Sequence, residues 1–109
     1  MVSINNFRKL ALAFPDAEEH PHFHLASFRV KKKIFATLWE KENRAMLKLS
    51  LVDQSVFCTY HGVFSPVPGG WGSKGATFVD LGKVRADMFK DALQAAYTLA
   101  ITKKISPKK

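Results

Sequence analysis

The sequence predicts an α+β fold in which an open antiparallel sheet carries helices on one of its faces. Short stretches of alternating apolar and polar residues, separated by turns, are typical of neighbouring antiparallel strands. Apolar residues at helical spacing occur near both ends of the chain and in one short central segment. The predicted order is roughly α-β-β-β-α-β-β-α, with three or more strands in the first run. Because the strands come in runs, this order favours the α+β class over a parallel sheet.

The first predicted helix begins after Ser3, a favourable N-cap, and ends at Pro15. Residues 27–39, SFRVKKKIFATLW, then read as the two strands of a hairpin that turns near Lys31 and Lys32. Aromatic residues on a helix-free face would offer a platform for stacking bases, unless a terminal segment or a partner chain covers them. Strict alternation places Phe28, Val30, Phe35, Thr37 and Trp39 on one face, and Ile34, Ala36 and Leu38 on the other.

The central part of the chain predicts a third strand over residues 45–51, after a turn at 40–43. Asp53 is a natural N-cap for the short helix that follows, and Gly62 is a natural stop. Residues 63–67 then favour another short strand.

The last part of the chain predicts a loop, a returning strand and a long helix. PGGWGSKG (68–75) has loop composition, and TFVDL (77–81) is typical of a strand. Apolar residues recur at i, i+3, i+4, i+7 and i+8 from Phe89 to Ile101, which indicates an amphipathic helix, and Pro107 bars its continuation.

Length and composition favour one domain, which we assign to residues 1–105, with a basic tail at 106–109. A single cysteine, Cys58, excludes an internal disulfide and is typical of a reducing compartment. No apolar run approaches the roughly 20 residues that span a bilayer, and the first residues lack the apolar segment of a signal peptide. We therefore expect a cytoplasmic protein without membrane association, monomeric or weakly dimeric.

Several segments together resemble the MmcQ/YjbR family of small bacterial proteins. The resemblance covers nearly the whole chain in order, and the hairpin is its most specific part. It implies the open sheet flanked by helices of frataxin/CyaY-like proteins and DNA binding through a double-wing arrangement, with no catalytic motif. Two departures are Ala76, where the family often has a large aromatic residue, and the lysines of the hairpin turn, which is often glycine-rich. The segments are FPDAEEH (14–20), FRVKKKIFATL (28–38), HGVFSPVP (61–68), GSKG (72–75) and ALQAAY (92–97).

The net charge of +8 predicts attraction to polyanions. Four lysines of the last seven residues supply half of it, and a basic tail often only aids solubility. Lys83 and Arg85 flank the start of the last helix, where the dipole disfavours cations and a docked phosphate would offset them. The ordinary alternative is a solvated basic surface.

The sequence therefore predicts a non-enzymatic DNA-binding domain that contacts mainly phosphates and needs no cofactor. The alternative is a protein-interaction or small-anion-binding module that uses the same surface. The predicted contact residues are Lys31, Lys32, Lys33, Trp71, Lys74, Lys83 and Arg85.

The stretch EEHPHFHL raises the question of a metal site, because His20, His22 and His24 alternate behind two glutamates. Side chains at i and i+2 of a strand lie about 6–7 Å apart, whereas one ion needs ligands about 2 Å away. Three such imidazoles share a metal only if the backbone bends. We therefore predict an edge strand with polar side chains and no functional metal site.

Two other motifs resemble functional sites but lack features that those sites require. GSKG has the residues of a phosphate loop, but that loop requires Gly-Lys-Ser/Thr leading into a helix, and here a strand follows. Cys58 and His61 lie three residues apart, yet the sequence shows neither a group to orient a base nor an oxyanion pocket. A buried cysteine without a catalytic role is the simpler interpretation.

Overall fold

The computed structural model describes residues 1–22 and 25–102. The predicted tail at 106–109 and His24 lie outside the described residues. The helices are α1 (Ile4–Leu12), α2 (Leu51–Phe57) and α3 (Ala86–Ile101), with a 3₁₀ helix, η1, at Gly72–Lys74. The strands are β1 (Glu18–His22), β2 (Leu25–Val30), β3 (Lys33–Trp39), β4 (Arg44–Lys48), β5 (Phe64–Pro66) and β6 (Ala76–Asp80).

The six strands form one antiparallel sheet in the order β1-β2-β3-β4-β6-β5. Strand β1, which contains His20 and His22, is an edge strand, as predicted, and it raises the first run of strands to four. The long helix α3 and the hairpin turn at Lys31 and Lys32 also lie where the sequence predicts them. The α+β prediction is confirmed.

Helices α1 and α3 pack on one face of the sheet and bury most of the aromatic residues there. The ring of Phe7 on α1 lies 5.2 Å from that of Phe28 on β2 and 5.4 Å from that of Phe89 on α3. Tyr97 of α3 donates a hydrogen bond from its hydroxyl to the Pro15 carbonyl at 2.8 Å. Each fully buried phenylalanine stabilises the fold by about 1.5–3 kcal/mol.

A β-bulge in β3 makes the predicted division of the hairpin faces wrong. Phe28 pairs with Ala36 and Arg29 pairs with Ile34, so Phe35 has no partner of its own in β2. The extra residue resets the alternation, and Phe28 therefore shares the helix-covered face with Ala36. Phe35 also turns to that face, where its ring lies 5.6 Å from that of Tyr97.

The boundary between β4 and α2 also differs from the predicted one. The strand ends at Lys48, three residues earlier than expected, and Leu51 already begins the helix. The N-cap is Ser50 rather than Asp53, because the Ser50 hydroxyl accepts a hydrogen bond from the Asp53 backbone N–H at 3.1 Å. The predicted cap, Asp53, instead lies in the first turn of the helix, where its carboxylate is favourable for the helix dipole.

Candidate anion-binding cleft

Three lysines from three separate elements line one cleft, which we call the lysine cleft. Lys33 begins β3, Lys48 ends β4 and Lys74 ends η1. The volume of the cleft is about 760 Å³. The remaining lining residues are Ile34, Leu49, Ser50, Ala96, Leu99, Ala100 and Thr102.

Strand register explains why these lysines meet. Because β3 and β4 are antiparallel neighbours, the start of β3 and the end of β4 lie at the same end of the strands. On the other side of β4, Lys48 pairs with Ala76, the first residue of β6. Lys74 precedes Ala76 by two residues and therefore lies at this end of the strands as well.

Two glycines hold Lys74 in place by allowing close backbone approaches. A Cβ at Gly72 would lie 1.8 Å from the Val67 carbonyl oxygen, and one at Gly75 would lie 1.8 Å from that of Leu49. Gly75 also has a φ of 106°, in the left-handed region that favours glycine. The GSKG segment is therefore a tight turn packed against the end of β4, and it does not lead into a helix as a phosphate loop would.

The lysine cleft has a cationic rim and an apolar wall. None of its lining residues is acidic, and within residues 1–22 and 25–102 none of the three ammonium groups forms a salt bridge. Leu99 and Ala100 on α3 supply the accessible part of the opposite wall, and Ala96 is buried. An occupant that combines negative charge with an apolar surface would match both sides.

Lys31 and Lys32 belong to a different environment from that of Lys33. They line a second cleft of about 560 Å³ together with Asp16 and Glu18. His20 and Arg29 complete its lining. The two carboxylates offset part of the positive charge of Lys31, Lys32 and Arg29, so this mixed cleft is a poorer anion site than the lysine cleft.

The structure places Lys83 and Arg85 beyond the far end of β6, away from Lys74. A five-residue strand spans about 17 Å, so the two groups of basic residues are not one compact site. Arg85 is exposed and forms a salt bridge with Asp87 at 3.2 Å. Only an extended polyanion could contact both ends of β6.

Trp71 is 68% exposed and immediately precedes η1. It has helical backbone angles, and side chains three residues apart in a 3₁₀ helix lie on the same side. Trp71 and Lys74 therefore project in the same general direction. A large aromatic side chain is thus exposed beside the rim of the lysine cleft.

The aromatic residues on the helix-free face differ from the predicted stacking platform. Trp39 packs edge-on against Phe78, with ring centroids 5.6 Å apart. The guanidinium carbon of Arg44 lies 4.0 Å from the centre of the Phe78 ring and 5.4 Å from that of Trp39. This arginine already occupies the ring face on which a base would stack.

The structure describes the surroundings of His20 and of the half-buried Cys58. The Glu18 carboxylate lies 2.8 Å from the Nε2 atom of His20, and no group of three or more metal-ligating side chains is found among the described residues. Burial raises the pKa of the Cys58 thiol. A raised pKa lowers the thiolate fraction at neutral pH, opposite to the change that activates a nucleophile.

Lys48 is the member of the cleft that sequence analysis missed. In sequence it is an ordinary exposed lysine that alternates with buried Leu47 and Leu49. The alternation indicates only that it points away from those two neighbours. Its meeting with Lys33 and Lys74 depends on strand order, which no local pattern encodes.

A comparison with solved structures supports the fold described above. The crystal structure of Deinococcus radiodurans protein DR2400, with the family-model domain DUF419, aligns with a TM-score of 0.83. The alignment covers 98% of this chain and 84% of that one, at 20% sequence identity, so the likeness extends to the fold alone. No curated protein matches the chain. Across the described residues, no helix combines the length and the apolar character needed to cross a membrane.

The hairpin, the glycine-flanked η1 turn and the first part of α3 all fall within one family match. The family model described as YjbR matches residues 12–99, which is most of the 109-residue chain. The match begins at the end of α1 and includes the whole sheet as well as all three lysines of the cleft. By this match the chain belongs to the YjbR family.

Proposed function

We propose that this protein is a non-enzymatic nucleic-acid-binding domain that contacts phosphates through the lysine cleft. One observation carries the proposal: Lys33, Lys48 and Lys74, from three elements, all line one cleft, and none of its described lining residues is acidic. The net charge of +8 adds long-range attraction for a polyanion. The contact set thus keeps Lys33 and Lys74 from the sequence prediction and adds Lys48.

The other predicted residues take lesser roles in this proposal. Lys31 and Lys32 face carboxylates across the mixed cleft, and Asp87 pairs with Arg85. Lys83 would meet only a polyanion long enough to pass along β6. We therefore expect the lysine cleft to dominate the affinity.

A salt titration of DNA binding tests the proposal. Each phosphate contact contributes about 0.9 to the slope of log K against log salt for duplex DNA and about 0.7 for a single strand. Replacing Lys33, Lys48 and Lys74 with serine should reduce this slope by about two units or more and weaken binding at low salt.

A matched variant controls for the loss of three charges. Lys9, Lys41 and Lys90 are exposed, and none of them lines the lysine cleft. Replacing these three with serine removes the same charge and should change the slope by much less than the cleft variant does. Equal effects of the two variants would mean that binding follows net charge alone, and the proposal would then fail.

An exposed apolar patch on α2 favours a second candidate function, interaction with another protein. The exposed fractions are 57% for Leu51, 72% for Val52 and 55% for Val56. These three residues belong to a helix of only seven residues, so they make up a large part of its surface. Exposed apolar patches of this kind often mark interaction surfaces. Replacing Val52 and Val56 with serine should abolish binding to a protein partner, measured by sedimentation of the mixture, while leaving DNA affinity unchanged. Loss of DNA binding in that variant would count against two separate surfaces.

A further inference from the structure

The apolar wall of the lysine cleft requires an explanation that phosphate contacts alone do not supply. Leu99 is 43% exposed and Ala100 is half-buried, so these two residues form the accessible apolar surface of the wall, whereas Ala96 is fully buried. The phosphates of a duplex would meet the lysines, but its bases are stacked on one another and hidden from such a wall. Unpaired bases present free aromatic faces to apolar and aromatic side chains.

The exposed ring of Trp71 also favours unpaired bases as ligands. Its ring is exposed, it lies one 3₁₀ turn from Lys74 and it projects in the same general direction. Among the described residues the other tryptophan, Trp39, is packed against Phe78 and Arg44. A free aromatic side chain next to a phosphate-binding lysine is the usual combination of a single-strand site.

The surroundings of the hairpin tip do not favour binding to a DNA duplex. A wing that enters a DNA groove must bring its tip against phosphates on both sides. The turn lysines Lys31 and Lys32 instead share the mixed cleft with Asp16 and Glu18, whose carboxylates repel phosphate. This arrangement leaves the lysine cleft as the better anion site of the two.

We propose that the lysine cleft binds a short single-stranded segment of nucleic acid in preference to a duplex. Lys33, Lys48 and Lys74 contact successive phosphates, one base stacks on Trp71, and another base lies against the apolar wall of α3. The inference rests on the proposed function, because it specifies the nucleic acid that the same cleft takes. A cavity of about 760 Å³ is within the range of roughly 300–1,000 Å³ typical of small-ligand sites and accommodates unpaired bases.

The experiment compares fluorescein-labelled dT12 with a 12-base-pair duplex by anisotropy at low and moderate salt. Electrostatics alone favours the duplex, because its charge density along the axis is about twice that of one strand. We expect the single strand to bind at least tenfold more tightly in spite of this. Equal affinity or a preference for the duplex would overturn the inference while leaving the proposed function intact, whereas failure of both probes to bind would overturn the proposed function itself.

Substitution of Trp71 tests the placement of the base. Trp71→Ala should weaken dT12 binding about tenfold, leave the salt slope unchanged and leave duplex affinity unaffected, because stacking releases no counterions. The residue is exposed, so the variant should melt at the wild-type temperature. In a Trp39→Phe background, the emission of Trp71 should be quenched by dT12. Retained dT12 affinity in Trp71→Ala, or an unquenched Trp71, would show that no base stacks there.

Discussion

The turn between β2 and β3 offers a direct test of backbone strain. Val30 and Lys33 form the closing pair, so Lys31 and Lys32 are the whole loop, and their φ angles are 50° and 69°. Two-residue turns with positive φ at both positions strongly favour Asn-Gly. Two lysines are unusual there, because a side chain with a Cβ is strained in the left-handed region.

Replacing Lys31 with Asn and Lys32 with Gly should therefore stabilise the protein. Relief of strain at position 32 contributes about 1–2 kcal/mol, and the greater entropy of glycine in the unfolded chain offsets about 0.5–1 kcal/mol of it. Asparagine at position 31 adds a few tenths of a kcal/mol, since it tolerates this region better than lysine. The net gain in the free energy of unfolding is about 1 kcal/mol, or about 4 °C in Tm for a domain of this size.

Urea denaturation and thermal melting of the double variant measure this gain. The control is Lys31→Ala with Lys32→Ala, which removes the same charges but keeps a Cβ at both positive-φ positions. The difference between the two variants isolates the backbone contribution from the loss of attraction to Asp16 and Glu18. A double variant no more stable than the alanine control would refute the assignment of strain to this turn.

Three further predictions concern single side chains. Gln54 is buried and donates hydrogen bonds to the carbonyls of Gly72 at 2.8 Å and Ala76 at 3.1 Å. Gln54→Met should lower the free energy of unfolding by about 1–2 kcal/mol, measured in urea, because both side-chain hydrogen bonds are lost. The loss is no larger because each carbonyl still accepts one backbone hydrogen bond. Arg44→Ala should cost about 1–2 kcal/mol through lost packing on Phe78, and Arg44→Lys should recover part of it. Because burial raises the pKa of Cys58, its alkylation at pH 8 should be slower in the native protein than in urea, and equal rates would contradict its burial.

The sequence predicts the fold well where local patterns decide the structure. The spacing from Phe89 to Ile101 depends only on helical periodicity, and α3 covers all of it. The faces of the hairpin could not be predicted in the same way, because one unpaired residue, Phe35, reverses the alternation without any signal in composition. The predicted N-cap of α2, Asp53, was wrong because Ser50, a residue type that caps helices as well as aspartate does, takes this role three residues earlier.

The candidate site depends still more on tertiary structure. Lys33 and Lys74 could be identified as basic residues of a hairpin and a loop, but nothing in the sequence connects these two residues with each other. The order β3-β4-β6 regroups them around Lys48. Sequence neighbours that share a charge thus lie in different environments, one in which carboxylates offset part of the charge and one without carboxylates among its described lining residues.

This imbalance is what separates a binding site from an ordinary basic surface. Lys33, Lys48 and Lys74 are exposed, and among the described residues none forms a salt bridge, so serine would serve the fold at each position. Like charges around one cleft repel one another and oppose folding, most strongly at low salt. The lysines therefore do not stabilise the fold through ion pairs, which is consistent with the proposed anion-binding role. A bare anion would leave the adjoining apolar wall and the exposed Trp71 without contacts, whereas the proposed single-stranded segment, with phosphates and free aromatic faces, would contact these groups and the lysines together.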